Sequence, residues 1–158
     1  MKILLALSTS RYSAHLVERA LTEASKHKEV LLYVLYVIEQ DELAAVSQKV
    51  GGEGFLGTSI QQDVLQALQA EHHRLAMLRI EEVRQVATDR AYQLQVTETS
   101  GNFSKEVISF AENHHCDVIY LTRDDRPFIS RFLFGSEADR VARLAKRDGL
   151  GRVIIDEE

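Results

Sequence analysis

Apolar residues fall into two arrangements along this chain, unbroken runs and helical stripes. Lys2 to Leu7 is apolar after its lysine, without alternation, and Val30 to Ile38 (VLLYVLYVI) has no polar face at all. Such runs suit strands buried on both sides, as in a parallel sheet covered by helices. Asp117 to Thr122 (DVIYLT) reads as another buried strand, and Arg152 to Ile155 as a short last one. Leu94 to Thr99 alternates and predicts a half-buried strand.

Helical stripes separate these runs. Ala14, Val17, Ala20, Leu21 and Ala24 predict the first helix, with Ser8-Thr9-Ser10 as its caps and His27-Lys28 at its negative end. Gln61 to about Tyr92 is the longest periodic segment, with a stripe of Leu65, Leu68, Leu75, Val83, Val86 and Ala87. Val107, Ile108 and Ala111 mark a third helix after the Gly101-Asn102 turn. Ala138, Val141, Ala142 and Ala145 mark a fourth, from Ser136 to Arg147. Its first turn carries Glu137 and Asp139 and its end Arg143, Lys146 and Arg147, which complements the helix dipole. Gly149 and Gly151 stop it.

The order is β-α-β-α-β-α-β-α-β. It predicts an α/β fold, a five-stranded parallel doubly wound sheet with helices on both faces, Rossmann-like. At 158 residues, with neither an internal repeat nor a linker, the chain reads as a single domain, 1–158. An insertion at about 39–60 holds Gly51, Gly52, Gly54 and Gly57 and reads as a mobile loop or lid.

Composition narrows the function classes. The net charge of −5 argues against a generic nucleic-acid-binding surface. No apolar run approaches the roughly 18 residues of a membrane span. The single cysteine, Cys116, excludes an internal disulfide framework and fits a reducing compartment, so a cytoplasmic setting is expected. His114-His115-Cys116-Asp117 has metal-ligand residue types, but neighbours at a helix end diverge, so no metal site is expected. There is no G-x-S-x-G elbow, no Walker lysine and no nucleophile–base pair in sequence, so catalytic residues are not expected.

In an open α/β sheet, ligands bind beyond the carboxyl ends of the strands. Here those ends are Leu7-Ser8-Thr9-Ser10, Val37-Ile38-Glu39 and Thr122-Arg123-Asp124-Asp125, with Gly135-Ser136 opening the last helix nearby. A helix N-terminus of this kind attracts anions.

These residues carry a resemblance. MKILLALSTSRYS resembles the opening strand and turn of the universal stress proteins. Thr99-Ser100-Gly101-Asn102 resembles the turn before that family's third helix, HHCDVIYLT its fourth strand, and RFLFGS (Arg131 to Ser136) its last helix start. The resemblance implies nucleotide-contact positions at Ser8, Val37, Thr122, Asp125, Gly135 and Ser136. It also implies a homodimer through the terminal strand.

The departures matter as much as the matches. ATP-binding members carry Gly, two residues, Gly, nine residues, then Gly-Ser or Gly-Thr. Aligned on Gly135-Ser136, the first two glycines fall on Thr122 and Asp125, and the acidic residue after strand one is Ser8. Glycine lets backbone N–H groups approach phosphate closely, and Asp124 and Asp125 add negative charge beside it. Arg123, Arg126 and Arg131 oppose that charge, either as anion contacts or paired with Asp124 and Asp125. The expectation is therefore a stress-response or signalling module with weak or absent ATP binding and no cofactor. Its alternative is ATP or AMP, with Mg²⁺, held by a modified loop.

For the dimer, Arg152, Val153, Ile154, Ile155 and Asp156 would pair antiparallel with their copies about Ile154. Arg152 would then face the second chain's Asp156.

Overall fold

A computed structural model describes residues 1–40, 58–88, 90, 92–123 and 136–157. Its elements run β1 (Lys2–Ser8), α1 (Ala14–Ser25), β2 (Leu31–Glu39), α2 (Thr58–Ala87), β3 (Gln93–Gly101), α3 (Phe103–His114), β4 (Val118–Thr122), α4 (Glu137–Arg147) and β5 (Arg152–Asp156). All five strands are parallel, in the order β3-β2-β1-β4-β5. The strand order reverses direction between β1 and β4, which makes their carboxyl ends the switch-point crevice.

The unbroken apolar runs are explained by a core on each face. Ile3, Leu5 and Leu7 with Leu32, Val34 and Tyr36 meet α1 and α2 on one side. Leu4 and Ala6 with Tyr33, Leu35 and Val37 meet α3 and α4 on the other. Strand β3 is an edge, so its residues alternate between exposed and half-buried over most of its length. Strand β5 is the other edge.

Several sequence expectations shift. The cap of α1 is Ser13, whose hydroxyl accepts from the Leu16 N–H at 3.0 Å, not Ser8 to Ser10. Those residues instead form a tight turn, with reciprocal backbone bonds between Ser8 and Arg11. Helix α1 ends at Ser25, before His27-Lys28. The insertion also loses its ends. Glu39 closes β2 in register with Gly101, and α2 begins at Thr58, so the glycine-rich stretch of the expected lid lies outside the described residues.

Helix α2 is 30 residues long, about 45 Å, against about 30 Å for β2. Only its second half lies on the sheet, where Ala76, Ile80, Val83 and Ala87 are buried. Val86, expected in the stripe, is 45% exposed, and Leu65, Leu68 and Leu75 are half-buried. A helix that overshoots its sheet needs no continuous stripe.

Two glycines are required by close geometry. Gly149 takes φ +66°, the left-handed conformation that ends α4. A Cβ on Gly151 would stand 2.2 Å from the Asp117 carbonyl oxygen, where the chain enters β5 beside β4.

Candidate functional site

The mouth of β1 and β2 is built around a buried ion pair. Arg11 is 1% exposed and its guanidinium donates to Glu39 Oε2. The same carboxylate oxygen accepts from Ser8 Oγ at 2.7 Å and from Ser10 Oγ at 3.2 Å. The guanidinium also lies 4.7 Å from the ring centroid of Phe103, the first residue of α3. The turn after β1 therefore folds Arg11 inward, and the last residue of β2 neutralises it. Charges stripped of water persist only in such paired, hydrogen-bonded form.

Beside this pair, Thr9 Oγ1 lies 3.1 Å from the Tyr36 hydroxyl and 3.2 Å from His72 Nδ1. A hydroxyl beside an imidazole is the arrangement from which nucleophiles are activated. The two residues lie far apart in sequence and meet because α2 passes the turn after β1.

At the mouth of β4, Thr122 is 4% exposed and its hydroxyl donates to the Asp156 carbonyl oxygen at 2.9 Å. Arg123 donates to Ser136 Oγ at 3.1 Å and to Asp139 Oδ2 at 2.7 Å, with Glu157 at 3.6 Å. Among the described residues the closest partner of this arginine is Asp139; Asp124 and Asp125 lie outside them. Ser136 caps α4, accepting from the Asp139 N–H at 3.3 Å. Glu137 accepts from the Ser104 N–H of α3 at 3.0 Å. Among the described residues, Arg123, the Asp139 N–H and the Ser104 N–H are thus turned to the chain's own oxygens.

The hydrogen bond from Arg123 holds the Asp139 carboxyl below its usual range, and Asp139 in turn raises Arg123. A lowered carboxyl pKa stabilises the fold above the unfolded value of about 3.9 and is lost as pH falls through the folded value. The pair is part-exposed, so Asp139→Asn should cost under about 1 kcal/mol at pH 7. Urea unfolding should show that difference vanishing once the pH is below the folded pKa of Asp139.

Of the expected nucleotide positions, Ser8 is fully buried and committed to Glu39, Val37 is fully buried in β2, and Thr122 is committed to β5. Ser136 is present as a cap. Asp125, Gly135, Arg126 and Arg131 lie outside the described residues. The histidine cluster resolves into separate contacts. His114 stacks on Phe110 at 3.9 Å between centroids and hydrogen-bonds its carbonyl at 2.9 Å. Cys116 is buried, and burial pushes its thiol up to about 11.

A five-stranded parallel sheet with helices on both faces defines a protein of the doubly wound, Rossmann-like α/β class by architecture. Residues 1–149 match the model of the universal stress protein family, and the chain belongs to that family. Among solved structures it is similar to the universal stress protein UspA from Lactobacillus plantarum, at 19% identity and TM-score 0.71, over 98% of this chain and 96% of that one. A universal stress protein family member from Burkholderia pseudomallei matches at 16% identity and TM-score 0.56, over 98% and 94%. A universal stress protein in complex with cAMP matches at 14% identity and TM-score 0.56, over 99% and 96%. No curated protein matches the chain. Among the described residues, no helix is long and apolar enough to cross a membrane.

Proposed function

We propose that this chain is a cytoplasmic stress-response or signalling module of the universal stress protein family, homodimeric through β5, that does not hold ATP in the family's manner. The observation that carries this reading is the buried Arg11–Glu39 pair. It fills the polar mouth of β1 and β2 with the chain's own ligands, and Ser8 is bonded beneath it. A nucleotide contacting Ser8 would have to break a desolvated, hydrogen-bonded pair. The β4 mouth adds to this, since Arg123 and Ser136 are engaged with each other and with Asp139.

The second reading is a nucleotide binder, using ATP or AMP with Mg²⁺ on a modified phosphate loop. It is favoured by the solved family member in complex with cAMP. Titration calorimetry with ATP, AMP and cAMP, each with and without Mg²⁺, separates the two. The leading reading expects no saturable heat at millimolar nucleotide, whereas micromolar binding would establish the second.

The dimer reading rests on the direction of backbone groups in β5. The Arg152 N–H donates to the Asp117 carbonyl at 2.9 Å, so Arg152, Ile154 and Asp156 turn their backbone groups toward β4. Alternation then aims those of Val153 and Ile155 at the open edge. Antiparallel pairing about Ile154 would join Val153 to Ile155 of a second copy, twice. The expected cross-pair of Arg152 with Asp156 changes character. Asp156 is 2% exposed and already binds His15 and Arg19 of its own chain, so the main-chain bonds must carry the pairing.

A further inference from the structure

On the α1 face, a groove of about 440 Å³ runs between α1 and the β4–β5 edge. That volume suits a small organic molecule. Its α1 wall carries His15, Arg19 and Lys26, its floor is Tyr120, and its β5 wall is Arg152 and Ile154.

Three donors on this lining have spare capacity. Tyr120 is 3% exposed and lines the groove, and its hydroxyl makes no hydrogen bond among the described residues. A phenol so placed usually finds a partner. Arg19 is anchored by one nitrogen to the buried Asp156 carboxylate at 3.1 Å, which fixes its guanidinium and leaves further N–H donors. Arg152 is exposed and makes no ion pair among the described residues. Of the carboxylates of the α1 wall, Glu18 is paired with Arg90 at 2.8 Å, outside the groove, and Glu23 with the groove's own Lys26 at 2.8 Å and with His27 at 3.3 Å. The Tyr120 ring and Ile154 supply an apolar floor beneath these donors.

We propose that this groove binds a small organic oxyanion, a carboxylate or phosphate monoester with a compact apolar body. Arg152 and Arg19 hold the anionic head and the Tyr120 hydroxyl donates to it. Burial raises the Tyr120 pKa, which keeps the phenol protonated as a donor. The site is independent of the nucleotide reading, because the Arg11–Glu39 pair lies at another strand mouth, against Phe103 on α3. It is also compatible with strand pairing, which uses backbone groups at the edge of β5 while Arg152 and Ile154 present side chains on its face.

The test is a titration followed in ¹H–¹⁵N spectra with benzoate, phenyl phosphate and, as a neutral control, benzyl alcohol. Saturable shifts are expected for one or both anions at the amides of Thr22, Glu23, Arg152 and Ile154, with none for the alcohol. The arm that saturates at lower concentration identifies the head group as carboxylate or phosphate. Arg152→Ala should raise the half-saturation point about tenfold or more, and Tyr120→Phe about threefold. Arg152 is exposed and Tyr120→Phe keeps the ring, so both variants should fold, which far-UV circular dichroism checks. Shifts that do not saturate, that map to another face, that are matched by benzyl alcohol, or that persist unchanged in Arg152→Ala would overturn the proposal.

Discussion

Arg11→Ala is expected to destabilise the fold by about 3–5 kcal/mol, because it leaves the Glu39 carboxylate buried without its counter-charge. Glu39→Ala should also destabilise the fold, because it removes the carboxylate oxygen that Arg11, Ser8 and Ser10 share. The two losses should not add, since each single change already breaks the same pair. Arg11→Met with Glu39→Leu should recover most of the loss, because apolar residues of similar volume replace buried ion pairs at little cost. A residual of about 1–3 kcal/mol should remain, since the fully buried Ser8 hydroxyl then lacks its acceptor. Urea unfolding of the wild type, the two single variants, Arg11→Ala/Glu39→Ala and Arg11→Met/Glu39→Leu reads these differences. A loss below about 1 kcal/mol in either single variant would mean that the pair is hydrated, and the mouth of β1 and β2 open.

Ile155→Pro is expected to convert a dimer into a monomer while the fold persists. The substitution removes an N–H aimed at the open edge, and proline is tolerated on edge strands where that group faces outward. Ile154→Pro is the informative control. Its N–H belongs on the β4 side, so it should damage the home sheet as well. Sedimentation velocity on the wild type and both variants, with circular dichroism alongside, reads the result. A dimer mass retained by Ile155→Pro would remove β5 from the interface.

The fold was legible because the core has two faces. Nine apolar positions in succession at Val30 to Ile38 have no solvent side, and only a sheet covered by helices on both faces provides that. The alternating β3 and the short β5 were likewise readable as strands, and the structure places them at the two edges. Helix α2 was less so, because a helix that extends past the sheet buries residues on half its length only. The stripe drawn through Val86 missed Ala76 and Ile80, which carry the contact.

The site was legible in place and not in content. The carboxyl ends of the strands follow from the element order: Ser8 ends β1, Thr122 ends β4, and Ser136 caps α4. What fills those mouths depends on partners that sequence spacing does not join. Arg11 meets Glu39 across two strands, Thr9 meets His72 across a helix, and Asp156 meets His15 and Arg19 across the sheet. One signal was available: Glu39 directly follows nine apolar residues, where it is too close to the buried strand to be solvated freely. Read that way, it calls for a cation, and Arg11 follows the neighbouring strand.

On the proposed reading, the chain's own Arg11–Glu39 pair fills the mouth of β1 and β2. A crystal structure grown with millimolar ATP and Mg²⁺ tests it most directly. The expected result is the Arg11 guanidinium on Glu39, Ser8 bonded to the same carboxylate, and no nucleotide density over Ser136. A nucleotide in contact with Ser8 and Ser136, with Arg11 displaced from Glu39, would contradict it.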